Sequence, residues 1–187
     1  PARNREDLSK GSWGVQFLVG CEATVISPSR LAVSDDVARE LDYVMVAANH
    51  YHLESVENPV QRDPASYASH HLEMLRGVLG WGMADIVAHP FLHSKIGRIM
   101  DPLDVLECYD WDSLERLMAE SREKGLSFEI KPGLLTQAPR FFREFVRLCS
   151  KIGVKFSLGS DAHRLCEIRY PPDFGEQLES MGIRSSD

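Results

Sequence analysis

The chain has 187 residues, of which 43% are hydrophobic and 26% charged, so residues 1–187 can form a single domain with a substantial core. A formal net charge of −7 argues against a broad basic surface for nucleic acid, and no apolar run is long enough to cross a membrane. The four cysteines are scattered without a C-x-x-C pair, which is typical of a reducing compartment, so we expect a cytoplasmic protein.

The first half of the chain alternates between predicted strands and helices. In chain order these are a loop or frayed helix over 1–13, a strand over 14–20, a helix over 35–41, a strand over 43–48, a helix over 64–79 and a strand over 85–88. Asp63 followed by Pro64 indicates a helix start, because the carboxylate can cap free N–H groups and proline is tolerated at the first helical position.

The second half continues the alternation. It begins with a segment over 91–109 that has weak periodicity and is predicted to be a lid or a long loop with one helical turn. Helices are predicted over 110–124, 139–152 and 174–181, and strands over 126–130 and 154–158. About five strands that alternate with helices predict parallel βα units and an α/β fold.

Polar residues lie at the predicted carboxyl ends of four strands: Glu22, His50, His89 and Asp161. In a parallel barrel these ends share one face, and that face carries the active site. Imidazole and carboxylate groups suit Zn, Mn or Fe, so the shared position predicts a metal site. Each residue alone has a plainer interpretation, such as a rim salt bridge for Glu22, a core histidine, or a helix cap for Asp161.

The segment 157–164 is the most informative motif. Gly159 and Ser160 permit a tight turn after a strand, and Asp161 and His163 follow two positions apart. If the backbone stays extended there, both side chains point to the same side, as two ligands of one metal cluster would.

Four short motifs then occur in order over most of the chain: Gly20-Cys21-Glu22, Asn49-His50, Ala88-His89-Pro90, and the run from Gly159 to Arg164. Together they resemble the later motifs of the PHP (polymerase and histidinol phosphatase) family. The resemblance implies a distorted (β/α) barrel that binds up to three divalent metal ions and hydrolyses phosphate esters.

The resemblance also implies roles for individual side chains. Glu22 would bridge two metal ions, and His50 and His89 would complete the coordination of one of them. Asp161 would bind the other and act in catalysis, and His163 would bind the third.

Two basic residues complete the expected site. Arg164 would contact the substrate phosphate during catalysis, because the fork of its guanidinium fits phosphate oxygens. Lys131, close to Glu129 at another strand end, is predicted to line the substrate pocket. An ordinary ion pair at the rim remains an open alternative for both Glu129 and Lys131.

The chain departs from the family pattern at its beginning. No histidine precedes His50, so the opening His-x-His motif of the family is absent. We therefore expect a barrel that is incomplete at the N-terminus, either as part of a longer protein or as a member without its opening. An incomplete barrel exposes a sheet edge, which predicts pairing in a homo-oligomer or completion by an N-terminal segment.

Three functions are compatible with these residues. The first is a metal-dependent phosphoesterase that hydrolyses a small phosphomonoester resembling histidinol phosphate through a metal-activated water. The second is a degenerate, non-catalytic metal-binding or scaffolding module of a larger protein. The third, an amide hydrolase of barrel type, is disfavoured because no lysine stands among the strand-end ligands.

Overall fold

The computed structural model describes residues 16–91, 100–168 and 170–183. Its sheet contains six strands: β1 (Gly20–Ser27), β2 (Arg30–Leu31), β3 (Tyr43–Ala47), β4 (Ile86–Val87), β5 (Ser127–Ile130) and β6 (Phe156–Leu158). Their order across the sheet is β2-β1-β3-β4-β5-β6, and all neighbours are parallel except the antiparallel pair β1 and β2. This arrangement confirms the predicted α/β class, while closure into a barrel stays a prediction.

Within the described ranges, seven α-helices connect and flank the strands: α1 (Asp35–Arg39), α2 (Pro64–Trp81), α3 (Pro102–Glu107), α4 (Trp111–Lys124), α5 (Pro132–Gln137), α6 (Pro139–Ile152) and α7 (Phe174–Ser180). Asp63 caps α2 by accepting the N–H of Ser66 at 2.9 Å, as its sequence predicts. Gly125 ends α4 in the left-handed conformation, with a φ of 71°. Among the described residues, no helix combines the length and the apolar character that a membrane crossing requires.

The core lies between the sheet and one layer of helices. Helix α2 packs against β1, α3 and α4, and α4 packs against α6. Phe145 of α6 is buried and reaches the strands through ring contacts with Phe128 and Phe156. The other face of the sheet is only partly covered, and Glu22, Met45 and Ile86 border a cleft of about 640 Å³ there.

The prediction of a strand over 14–20 is wrong for residues 16–19 and holds only at Gly20 among the described residues. Residues 16–19 precede the strand, and β1 begins only at Gly20, where parallel pairing with Tyr43 starts. Val19 is held instead by Asp42, whose carboxylate accepts the N–H of Val19 at 2.7 Å. Hydrogen bonding to a loop, rather than to a neighbouring strand, therefore organises this apolar segment.

Other differences are smaller. The irregular segment predicted over 91–109 contains helix α3, and 92–99 lie outside the described residues, as do 1–13. Strand β2 and helix α5 were not expected, because both are short and have weak periodicity. On α6, Phe142 is buried, whereas Phe141 is only partly so.

Candidate metal centre

Glu22 is the third residue of β1, so the prediction that it follows a strand is wrong. Its strand position nevertheless determines its direction, because side chains alternate between the two faces of a sheet. Cys21 and Ala23 pack against the helix-covered core, whereas Glu22 lies on the cleft side. Cys21 and Glu22 therefore point to opposite faces of the sheet.

His50 and His89 follow the strands that neighbour β1, as predicted. His50 comes three residues after β3, and His89 comes two residues after β4. Glu22 Oε1 lies 3.2 Å from His89 Nε2 and 3.6 Å from His50 Nε2, and the two imidazole centroids are 5.3 Å apart. One ligand atom from each of the three residues lies within 4.8 Å of the other two, which is close enough for all three to bind one ion.

The ring of His50 is oriented by a neighbour of Glu22 on β1. The hydroxyl of Thr24 is hydrogen-bonded to His50 Nδ1 at 3.0 Å. This bond leaves Nε2 of the same ring directed towards Glu22. A second polar group that fixes the ring and tautomer of a histidine is common at metal sites. The sequence offered a signal for Thr24, since it lies two positions after Glu22 and shares its face of the strand.

The backbone of His89 is strained. Its φ is 31°, in the left-handed region that residues other than glycine avoid at a cost of about 1–3 kcal/mol. The N–H of His89 donates to Glu129 Oε2 at 2.6 Å, and the amide of Asn49 donates to the carbonyl of His89 at 3.1 Å. Sequence reasoning placed Glu129 near the pocket but did not predict its contact with His89.

The carboxyl of Glu22 is ionised at neutral pH. The hydrogen bond with His89 is the main cause that lowers its pKa, partial burial opposes this, and the electrostatic interactions with His89 and His50 add to the lowering. The nearby charge of Asp161 raises the pKa slightly. A carboxylate that stays ionised between two imidazoles is a suitable ligand for a divalent cation.

Asp161 borders the same cleft, but its carboxylate is paired with a lysine. Lys131 Nζ lies 2.5 Å from Asp161 Oδ2, and the lysine side chain is only 12% exposed. Burial raises the pKa of the Asp161 carboxyl, but the hydrogen bond and the charge of Lys131 outweigh it, so the pKa is below its usual value. Asp161 does not belong to the three-residue group formed by Glu22, His50 and His89.

His163 and Arg164 lie further out. The His163 side chain is 81% exposed, and its Nδ1 is 2.9 Å from the main-chain oxygen of Asp161. The backbone N–H groups of both residues donate to Glu167, and Arg164 is exposed. The expectation of an extended backbone here is wrong, because Asp161 has a φ of 50° and the chain turns. The His163 ring nevertheless stays beside Asp161, with its Nδ1 3.9 Å from Asp161 Oδ1.

Three curated proteins are similar to this chain, and each is named a probable phosphatase. The protein of Caldicellulosiruptor bescii is 25% identical over 90% of this chain, and that of Acetivibrio thermocellus is 28% identical over 83%. The protein of Clostridium novyi is 26% identical over 96%. The aligned region spans 68%, 56% and 66% of these relatives, respectively. No protein-family model matches the chain.

Proposed function

We propose that this chain carries the metal site of a phosphoesterase of the PHP (polymerase and histidinol phosphatase) type, acting on a small phosphomonoester. The observation that carries the proposal is the convergence of Glu22, His50 and His89 from three neighbouring strands. The names of the three similar proteins support the reaction class. The resemblance of the ordered motifs to those of the PHP family supports the metal dependence and a substrate resembling histidinol phosphate.

The donor set fits a divalent metal ion. Two imidazole nitrogens and one carboxylate oxygen suit Zn, Mn or Fe and give no basis for choosing among them. A bound ion would supply positive charge for a phosphate group and would lower the pKa of a coordinated water. With three protein ligands, coordination positions remain for water and substrate, as in catalytic rather than structural sites.

The chain's own residues would divide the remaining tasks. Glu22, His50 and His89 hold the ion, while Thr24 is bonded to the His50 ring and Glu129 to the backbone N–H of His89. Glu22, Thr24 and Glu129 belong to strands, and His50 and His89 lie within three residues of the ends of β3 and β4, so the sheet sets the spacing of all five residues.

Around this group, Lys131 and Arg164 are proposed to bind the phosphate through charge-assisted hydrogen bonds. We retain Asp161 and His163 as proposed ligands of further ions and Asp161 as a catalytic carboxylate. Both residues would need new side-chain directions for this role, because Asp161 is now paired with Lys131 and His163 faces solvent.

Metal content and hydrolysis together test the proposal. The chain is purified without added metal, and its Zn, Mn and Fe are measured by elemental mass spectrometry. Hydrolysis of p-nitrophenyl phosphate and histidinol phosphate is followed in the longest polypeptide that contains this chain. We expect about one tightly held ion per chain, lost in Glu22→Gln and His89→Ala because each removes one of three ligands.

Glu120→Gln provides the matched control, since Glu120 is an exposed carboxylate on α4. It should keep both the ion and the activity. Retention of the ion and of turnover in Glu22→Gln and His89→Ala would contradict the proposal.

A non-catalytic metal-binding module is the second candidate. The pairing of Asp161 with Lys131 and the exposure of His163 favour it, because both residues are then unused as ligands. A folded polypeptide that binds an ion through Glu22 but hydrolyses neither ester would establish this second function instead of the first.

A further inference from the structure

Glu129 is a buried carboxylate that reaches across strands. It lies on β5, is only 3% exposed, and its Oε2 accepts the backbone N–H of His89 at 2.6 Å. Burying a carboxylate is unfavourable unless hydrogen bonds compensate for the lost water. The contact with His89 is therefore the structural reason for placing a glutamate at this position.

Glu129 and Asn49 together restrain the backbone of His89 from both sides. The N–H is bound by Glu129, and the carbonyl is bound by the Asn49 amide at 3.1 Å. The residue between these two bonds has a φ of 31° and is followed by Pro90, which restricts it further. A conformation of this kind persists only when its surroundings enforce it.

Gly159 provides the space in which the Glu129 carboxylate lies. A Cβ atom at position 159 would lie 1.7 Å from Oε1 and 2.7 Å from Cδ of Glu129, far below any real contact. The φ of Gly159 lies outside the left-handed region, so its backbone could accept other residues. The glycine that precedes Ser160 and Asp161 is thus explained by the volume of Glu129.

We propose that Glu129 is a positioning residue that fixes the backbone of His89 and so directs its imidazole into the candidate metal centre. The inference rests on the proposed metal site for its function, but not for its geometry. The direction of a side chain follows from the backbone that carries it. Loss of an outer partner of this kind typically weakens metal binding by about 10–100-fold.

Cobalt binding to the chain after chelator treatment tests the effect on the site. Co²⁺ is titrated and its visible absorption gives the affinity, while urea unfolding of the same samples shows how much folded protein is present. Glu129→Ala should weaken Co²⁺ binding by about 10–100-fold. Glu129→Gln keeps an oxygen that can accept the His89 N–H, so it should restore most of the affinity. Equal affinity in Glu129→Ala and the wild type would overturn the inference.

A double-mutant cycle with Gly159 separates positioning from general damage. Gly159→Ala alone should weaken Co²⁺ binding, because the new methyl group displaces the Glu129 carboxylate. In the Glu129→Ala background the side-chain atoms of Glu129 that clash with this methyl group are absent. Gly159→Ala should therefore cause no further loss of Co²⁺ affinity there. Fully additive losses would mean that the two residues act independently, which contradicts the proposal.

A measurement without metal keeps the two proposals distinguishable. The exchange rate of the His89 amide proton, followed by NMR, should be slow in the wild type and in Glu129→Gln and fast in Glu129→Ala. If the wild type binds no Co²⁺ but shows this pattern, the metal site is wrong and the restraint on His89 stands. An exchange rate that Glu129→Ala leaves unchanged refutes the restraint whatever the metal result.

Discussion

Helix α2 contains two glycines that should respond oppositely to the same substitution. A Cβ at Gly77 would lie 1.9 Å from the carbonyl oxygen and 2.7 Å from the carbonyl carbon of Pro28, in the turn between β1 and β2. A Cβ at Gly80, one turn further along, would meet nothing within 4 Å. The two positions therefore share a helix but differ in the space beside them.

The expected magnitudes follow from this difference. Replacing an exposed helical glycine by alanine stabilises a protein by roughly 0.5–1 kcal/mol, so Gly80→Ala should raise the free energy of unfolding by that amount. Gly77→Ala gains the same helix propensity, but the Pro28 carbonyl must retreat by more than 1 Å to reach even a 3.0 Å contact. Overpacking of this kind costs about 1–3 kcal/mol. We expect a cost in the upper part of this range, because the clashing group is a main-chain carbonyl and not a flexible side chain. We expect a net loss of about 1–2 kcal/mol.

Urea unfolding followed by tryptophan fluorescence measures both variants, and Trp81 at the end of α2 is a local probe. The unfolding midpoint should rise for Gly80→Ala and fall for Gly77→Ala at an unchanged slope. If both variants are stabilised to the same extent, α2 does not contact Pro28 as described, and the reasoning is refuted.

Three further predictions concern the site and the core. The pKa of Glu22 is lower in the folded chain than in the unfolded chain, so its carboxylate stabilises the folded, metal-free chain above about pH 4.5. This stabilisation is lost as the pH falls through the pKa that Glu22 has in the folded chain. The difference in unfolding free energy between wild type and Glu22→Gln in chelator should therefore shrink between pH 6 and pH 3, and a constant difference would contradict the shift. Phe145→Ala should lower the unfolding free energy by about 3–5 kcal/mol because Phe145 is fully buried, whereas Val60→Ala, at an exposed site, should change it by under about 0.5 kcal/mol. Burial raises the pKa of the Cys149 thiol, so Cys149 should resist a thiol reagent that labels the exposed Cys108 and Cys166 in the folded chain. If Cys149 is labelled as fast as Cys108 and Cys166, it is not buried.

Features with local chemical signals could be predicted from the sequence. The bounds of α4 agree with the helix predicted over 110–124, because the Asp110 carboxylate cap and the left-handed Gly125 act on their own helix ends. His50 and His89 were placed correctly because short apolar strands precede them directly. Such signals need no knowledge of which strands become neighbours.

Features that depend on pairing could not be predicted in the same way. The start of β1 is set by its pairing with β3, which begins where Gly20 lies opposite Tyr43. The apolar run before Gly20 gives no information about this pairing register. The left-handed φ of Asp161, which turns the chain after β6, is likewise not encoded in the residue spacing. The contact between Glu129 and Gly159 joins two strands that only the folded sheet brings together.

Glu22, His50 and His89 all lie before residue 92, whereas Glu129 and Gly159 belong to the second half of the chain. During synthesis, the side chains that we propose as ion ligands therefore leave the ribosome before the residues that restrain the backbone of His89. Folding proceeds from the N-terminal part as the chain emerges, so the donor groups can gather before β5 and β6 exist. We expect a nascent chain at that stage to bind an ion weakly and to tighten its hold only when the last two strands have joined the sheet.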